Sequence, residues 1–172
     1  MLVDETGVSL RAKTATTWAP TGHTPILRRV SKRREVATVI GLTRTGKIYK
    51  RHFEHAMGAT EIRVALRPFQ RPTAGPMIII WDRLSAHRAV LVRASIAAPP
   101  EIEVEWLPPY APDLNPEEGC HGHVTQYLRN AAPANARAVR AQVDRGFARI
   151  RRRPDLILGL FRHAGLHVNQ LW

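Results

Sequence analysis

Five consecutive apolar residues, Met77-Ile78-Ile79-Ile80-Trp81, constrain the architecture more than any other stretch of the chain. Three isoleucines in a row favour a strand, because β-branched side chains pack well on a pleated surface. Gly75-Pro76 opens the run and Asp82 closes it, which predicts a short central strand buried on both faces. Such a strand needs helices above and below it, and residues 86–98 read as one of them. Glu101–Trp106 then alternates strictly, with Ile102, Val104 and Trp106 facing in and Glu101, Glu103 and Glu105 facing water.

The flanks extend this plan. Met1-Leu2-Val3 runs into Asp4-Glu5-Thr6-Gly7, a short strand ending in a turn. Residues 35–43 and 47–54 flank Thr45-Gly46 and predict a hairpin. Residues 59–70 place Ile62, Leu66 and Phe69 on one helical face, with Pro68 closing the helix. Asn115-Pro116 marks a helix start, with Glu117 and Glu118 in its acid-favouring first turn. Ala136, Val139, Val143, Phe147 and Ile150 form a helical stripe, and a last helix carrying Leu156, Leu160, Phe161 and Ala164 follows Pro154. The expected fold is α/β, a mixed sheet with flanking helices.

A length of 172 residues suits a single domain, and 44% apolar residues are too many for a disordered chain. No apolar run approaches the roughly 20 residues that span a bilayer, so no membrane partner is expected. Cys120 stands alone, which excludes an internal disulfide framework and fits a reducing cytoplasm.

The formal net charge of +12 points to a polyanionic partner. A GC-rich genome would account for 22 Arg against 4 Lys, but not for the excess of positive charge. Nine basic residues lie between Arg28 and Arg51, opposed only by Glu35, and nine arginines lie between Arg129 and Arg162. Between them, residues 94–128 hold six carboxylates and no Lys or Arg. Three of the six belong to the alternating strand. A carboxylate cluster in a phosphate-binding protein repels its ligand unless metal ions intervene.

Three acids stand at element ends: Asp4 after the first strand, Asp82 after the most buried one, and Glu118 at a helix start. Acids so placed can converge outside the carboxyl edge of a sheet, where two or three carboxylates suffice to hold magnesium. Two such ions, about 3.5–4 Å apart, would serve an in-line displacement at phosphorus.

Four segments occur in order: Asp4-Glu5-Thr6-Gly7, Trp18-Ala19-Pro20-Thr21-Gly22-His23-Thr24-Pro25, Trp81-Asp82-Arg83-Leu84-Ser85-Ala86-His87, and Leu107-Pro108-Pro109-Tyr110-Ala111-Pro112-Asp113-Leu114-Asn115-Pro116-Glu117-Glu118. Together they resemble the catalytic domain of DDE transposases of the mariner-like superfamily, in its bacterial insertion-sequence branch. The resemblance covers nearly the whole chain. Thirty-five residues separate Asp82 from Glu118, as the family's spacing requires. Arg83 stands where many relatives carry Asn, and His121 where Trp is usual.

The resemblance implies an RNase H-like fold spanning residues 1–172 as one catalytic domain, without the helix-turn-helix region that relatives carry upstream. It implies cleavage and joining of double-stranded DNA with two Mg²⁺ ions, with Mn²⁺ as a substitute. Asp4, Asp82 and Glu118 take the roles of the three acids. A homodimer on transposon ends, a separate helix-turn-helix protein from an upstream reading frame, and association with a bacterial nucleoid follow as expectations. The competing reading is a truncated relic that binds DNA without cutting it.

Around this site, Arg28, Arg29, Lys32, Arg33 and Arg34 are the expected phosphate contacts, and His87 reads equally as a further phosphate donor or as a helix-capping or surface histidine. Glu5 and Glu117 read as capping or solvated acids. Cys120, His121 and His123 do not set three zinc ligands on one helical face. Trp18 could pack on the sheet or track DNA.

Overall fold

The computed structural model describes residues 1–11, 13–28, 35–70, 75–98 and 102–168. The strands are β1 (Leu2–Ser9), β2 (Glu35–Leu42), β3 (Ile48–Phe53), β4 (Met77–Trp81) and β5 (Ile102–Trp106). The helices are α1 (Ala59–Gln70), α2 (Val90–Ile96), α3 (Pro116–Tyr127), α4 (Ala136–Arg151) and α5 (Pro154–His163). Short 3₁₀ turns occupy Ser85–Arg88 and Pro112–Leu114. The sheet order is β3-β2-β1-β4-β5. Strands β1 to β3 pair antiparallel, whereas β4 pairs parallel with both β1 and β5.

Alternation along the strands sends residues to two separate cores. Leu2, Val36, Ile40 and Ile48 pack against Cys120, Val124, Val143, Phe147 and Phe161 of α3, α4 and α5. Val3, Val39, Ile79 and Trp81 pack against Ile62, Leu66 and Phe69 of α1 and Val92 of α2. The whole predicted stripe of α4 is buried. A polar chain pins that helix to the hairpin: Thr38 Oγ1 lies 2.8 Å from His52 Nδ1, His52 Nε2 lies 3.0 Å from Asp144 Oδ1, and Lys50 also pairs with Asp144.

Several local expectations are corrected. The first strand does not stop at Asp4: it runs for eight residues, and Asp4 is its third. Its continuation pairs along the length of β2, from Leu2 opposite Leu42 to Ser9 opposite Glu35. Pro68 lies inside α1, which ends at Gln70. The helix expected over 86–98 is broken at Ala89, whose extended backbone (φ −61°, ψ 144°) separates the 3₁₀ turn from α2. Strand β4 is not buried on both faces, because Ile78 is 51% exposed. Helices α3 and α4 pack over β1, β2 and β3 on that side. Trp106, expected to face inward, is at the surface of the edge strand β5. In α5 the fully buried residues are Ile157 and Phe161, with Leu156 and Leu160 packed at their margin. Trp18 does not pack on the sheet and is 99% exposed. Among the described residues, no helix is long and apolar enough to cross a membrane.

Candidate active site

The parallel pairing of β1 with β4 sets Leu2 beside Ile80. Two residues further along both chains, Asp4 and Asp82 come level at the carboxyl edge of β4. Glu118 approaches from the first turn of α3. All three line one cleft of about 570 Å³, closed on its other sides by Arg83, Arg88, Tyr110 and Asn115 among others. The three acids expected to act together therefore share a single opening.

One residue couples the helix to the strand. Asn115 caps α3, its Oδ1 accepting from the Glu117 amide at 3.2 Å, while its Nδ2 donates to Asp4 Oδ2 at 3.0 Å. Asp4 Oδ1 in turn accepts the Glu5 amide at 2.8 Å. Both oxygens of Asp4 are thus held in place, and its side chain is only 14% exposed. Burial, then the nearby negative charge of Glu118, push its carboxyl up to about 8.

Asp82 is fixed by another residue. His87 is fully buried and stacks on Trp81, with ring centroids 3.7 Å apart and planes 26° from parallel. Its Nδ1 lies 2.8 Å from Asp82 Oδ1 and 3.1 Å from the Asp82 carbonyl, and its Nε2 lies 3.0 Å from both oxygens of Glu5. Asp82 Oδ1 also accepts the Leu84 amide at 3.0 Å. With both nitrogens engaged and no exposed surface, His87 cannot donate to a phosphate. It ties two carboxylates together instead. Glu5 is neither a cap nor a solvated acid: it points to the face of the sheet opposite Asp4 and holds His87.

Of the other phosphate contacts expected from sequence, Arg28 is exposed on the loop before β2. Arg29, Lys32, Arg33 and Arg34 lie outside the described residues, as does Glu101. Two cations were missed in the sequence: Arg83 and Arg88 are exposed at the cleft itself, beside Asp82. Arg88 reaches the rim because the 3₁₀ turn that buries His87 turns its neighbour outward. Tyr110 was missed too. Its backbone takes the left-handed region (φ 57°) and its ring stands wholly in solvent over the cleft.

Glu117 also departs from expectation. It is completely buried rather than solvated, and burial followed by the charge of Asp4 pushes its carboxyl well up. Its i+4 neighbour His121 faces it at 3.2 Å. Cys120 is buried in the core and His123 is exposed, so the Cys-His-His group does not assemble. Gly119, next to Glu118, marks the close approach of α3 to α5, where a Cβ would displace Leu160.

The profile of the DDE superfamily endonucleases matches residues 1–140. The chain belongs to that superfamily. Among solved structures, this DDE domain is similar to the Mos1 transposase paired-end complex with left transposon end, with a TM-score of 0.65 at 17% identity over 99% of this chain and 56% of that one. The Mos1 mariner paired-end complex with Mn gives a TM-score of 0.67 at 20% identity, over 95% of this chain and 53% of that one. The catalytic domain of Mos1 mariner transposase gives 0.55 at 17% identity, over 96% and 83%. The chain therefore spans little more than half of the transposase chains in those paired-end complexes. The five-stranded mixed sheet with flanking helices is the RNase H-like fold. No curated protein sequence matches the chain at a significant level.

Proposed function

We propose that this domain is the catalytic part of an insertion-sequence transposase, cutting double-stranded DNA and joining the freed end to a target. The observation that carries this reading is the shared cleft, in which Asp4, Asp82 and Glu118 converge with no lysine or arginine salt bridge to any of them among the described residues. Their chemistry fits hard divalent cations: oxygen donors, accumulated negative charge and an open side for water and phosphate. Two Mg²⁺ or Mn²⁺ ions held there would lower the pKa of an attacking water or 3′-hydroxyl and stabilise the leaving oxygen.

The protein's own residues supply the positioning. Asn115 and the Glu5 amide orient Asp4. His87 and the Leu84 amide orient Asp82. Arg83 and Arg88 offer forked donors to DNA phosphates entering beside the acids, with Arg28 and the neighbouring basic segment as further contacts. The exposed Tyr110 ring presents a stacking face for a base displaced near the cut. A homodimer on paired transposon ends completes the proposal.

The test is incubation of the purified domain with DNA carrying the terminal repeats of its element. Nicking that requires Mg²⁺ or Mn²⁺ and stops with chelator is expected. DNA that is bound but left intact with either ion would point instead to the relic.

Ion binding in the cleft should also depend on pH. Without an ion, Asp4 holds its proton up to about pH 8, so a cation must displace that proton at lower pH. The folded state is also the one that keeps the proton between the ordinary carboxylate range and pH 8. Raising pH through this window therefore weakens the ion-free fold and strengthens ion binding. Calorimetric titration with Mn²⁺ should show affinity rising about tenfold per pH unit towards pH 8 and levelling above it. A flat profile over that window would show that no proton on Asp4 is displaced by the ion.

A further inference from the structure

Glu117 and His121 play no part in the mechanism above, yet they lie directly behind it. One turn apart on α3, they share its inward face and meet Asp4 across the gap to β1. His121 Nδ1 is 3.2 Å from Glu117 Oε2 and 4.0 Å from Asp4 Oδ2. One ligand atom from each of the three residues lies within 4.8 Å of the others. The Glu117 carboxylate is fully buried, and among the described residues neither of its oxygens has a hydrogen-bond partner. His121 Nε2 is buried without a partner among the described residues too. A carboxylate in this condition costs several kcal/mol unless something satisfies it, and native structures leave few such groups unexplained.

We infer that Asp4, Glu117 and His121 form a binding site for a first-row transition-metal dication, separate from the magnesium positions of the cleft and joined to them through Asp4. A cation here would answer both orphaned Glu117 oxygens and take the Nδ1 lone pair that faces them. The donor set decides which cation. Two carboxylates and an imidazole suit zinc-like ions, whereas Mg²⁺ keeps to oxygen donors and retains its waters. The spacing agrees: bonds of about 2.0–2.1 Å in a tetrahedron set ligand atoms roughly 3.3 Å apart. The Glu117–His121 separation already matches this, and Asp4 Oδ2 stands 4.0 Å from the same imidazole nitrogen. Asp4, which lines the cleft, connects the trio to it. The trio would hold an ion whether or not the domain cuts DNA, since Asp82 and Glu118 stand outside it.

The test uses the full chain, stripped with chelator and titrated with Co²⁺ alone, reading the visible absorption of protein-bound cobalt. One Co²⁺ per chain is expected, displaced by Zn²⁺ and not by a large excess of Mg²⁺. His121→Phe and Glu117→Gln should each lower Co²⁺ affinity by more than the roughly 10–100-fold that loss of an outer-shell partner costs. Asp82→Asn and Glu118→Gln should retain the band while losing Mg²⁺-dependent nicking, so the two readings fail separately. If His121→Phe does not fold, the isosteric Glu117→Gln carries the comparison. Cobalt absorption unchanged by Glu117→Gln, absorption lost with Asp82→Asn, or displacement by Mg²⁺ would each overturn the site. So would the absence of cobalt binding, which would leave Glu117 and His121 as a neutral pair sharing one proton.

Discussion

Replacing Asp82 with alanine is expected to abolish metal-dependent nicking while leaving the fold intact. Each metal ion in such a site is worth several kcal/mol of transition-state charge stabilisation. At 1.36 kcal/mol per factor of ten, loss of one of three ligands predicts a fall of at least about 10³-fold. The fold should survive because the Asp82 side chain is 56% exposed and follows β4 rather than lying within it. His87 keeps the Asp82 carbonyl and Glu5 as partners after the change. Melting within about 2 °C of the parent, with DNA binding retained, would isolate the chemical defect. Residual nicking within tenfold of the parent would remove Asp82 from the site, and with it the transposase reading.

Much of the scaffold is legible because its signals are local. The isoleucine run makes β4, Thr45-Gly46 separates β2 from β3, and the apolar spacing of Ala136 to Ile150 makes α4. Asn115-Pro116 starts α3 where the capping rules place it. The site is legible only as far as its acids lie on such elements. Two successive acids at Asp4-Glu5 read as a turn, because nothing nearby in sequence balances them. In the fold they point to opposite faces of β1, and their partners Asn115 and His87 are 111 and 82 residues away.

The same cause hides the break at Ala89. No glycine or proline marks it, since the 3₁₀ turn exists to bring His87 inward between Glu5 and Asp82. Glu117 misleads for a different reason. An acid in a helix's first turn is favoured by the dipole and is ordinarily at the surface. Here that turn lies against β1, and the i, i+4 spacing to His121 puts both polar groups on the buried side. Periodicity alone would have found that pairing.

His87 carries the largest expected effect on stability. Replacing it with alanine removes a fully buried ring stacked on Trp81 and opens a void between β4 and the turn that follows it. It also leaves Glu5, whose side chain is only 10% exposed, without a side-chain partner among the described residues. Leaving a buried polar group without its partner costs about 1–3 kcal/mol, and removing a large core side chain costs about 3–5 kcal/mol. In a domain of this size each kcal/mol lowers the melting temperature by about 2–4 °C, so a drop of roughly 10 °C or more is expected. A second change discriminates between the void and the orphaned acid. If the acid dominates, Glu5→Gln in the His87→Ala background should recover about 1 kcal/mol or more, because the stranded group is then neutral. If the void dominates, Glu5→Gln should recover nothing. Because His87 also orients Asp82, the variant should bind Mn²⁺ about 10–100-fold more weakly even below its melting point. A His87→Ala protein that melts with the parent and keeps its Mn²⁺ affinity would show that the ring braces neither carboxylate.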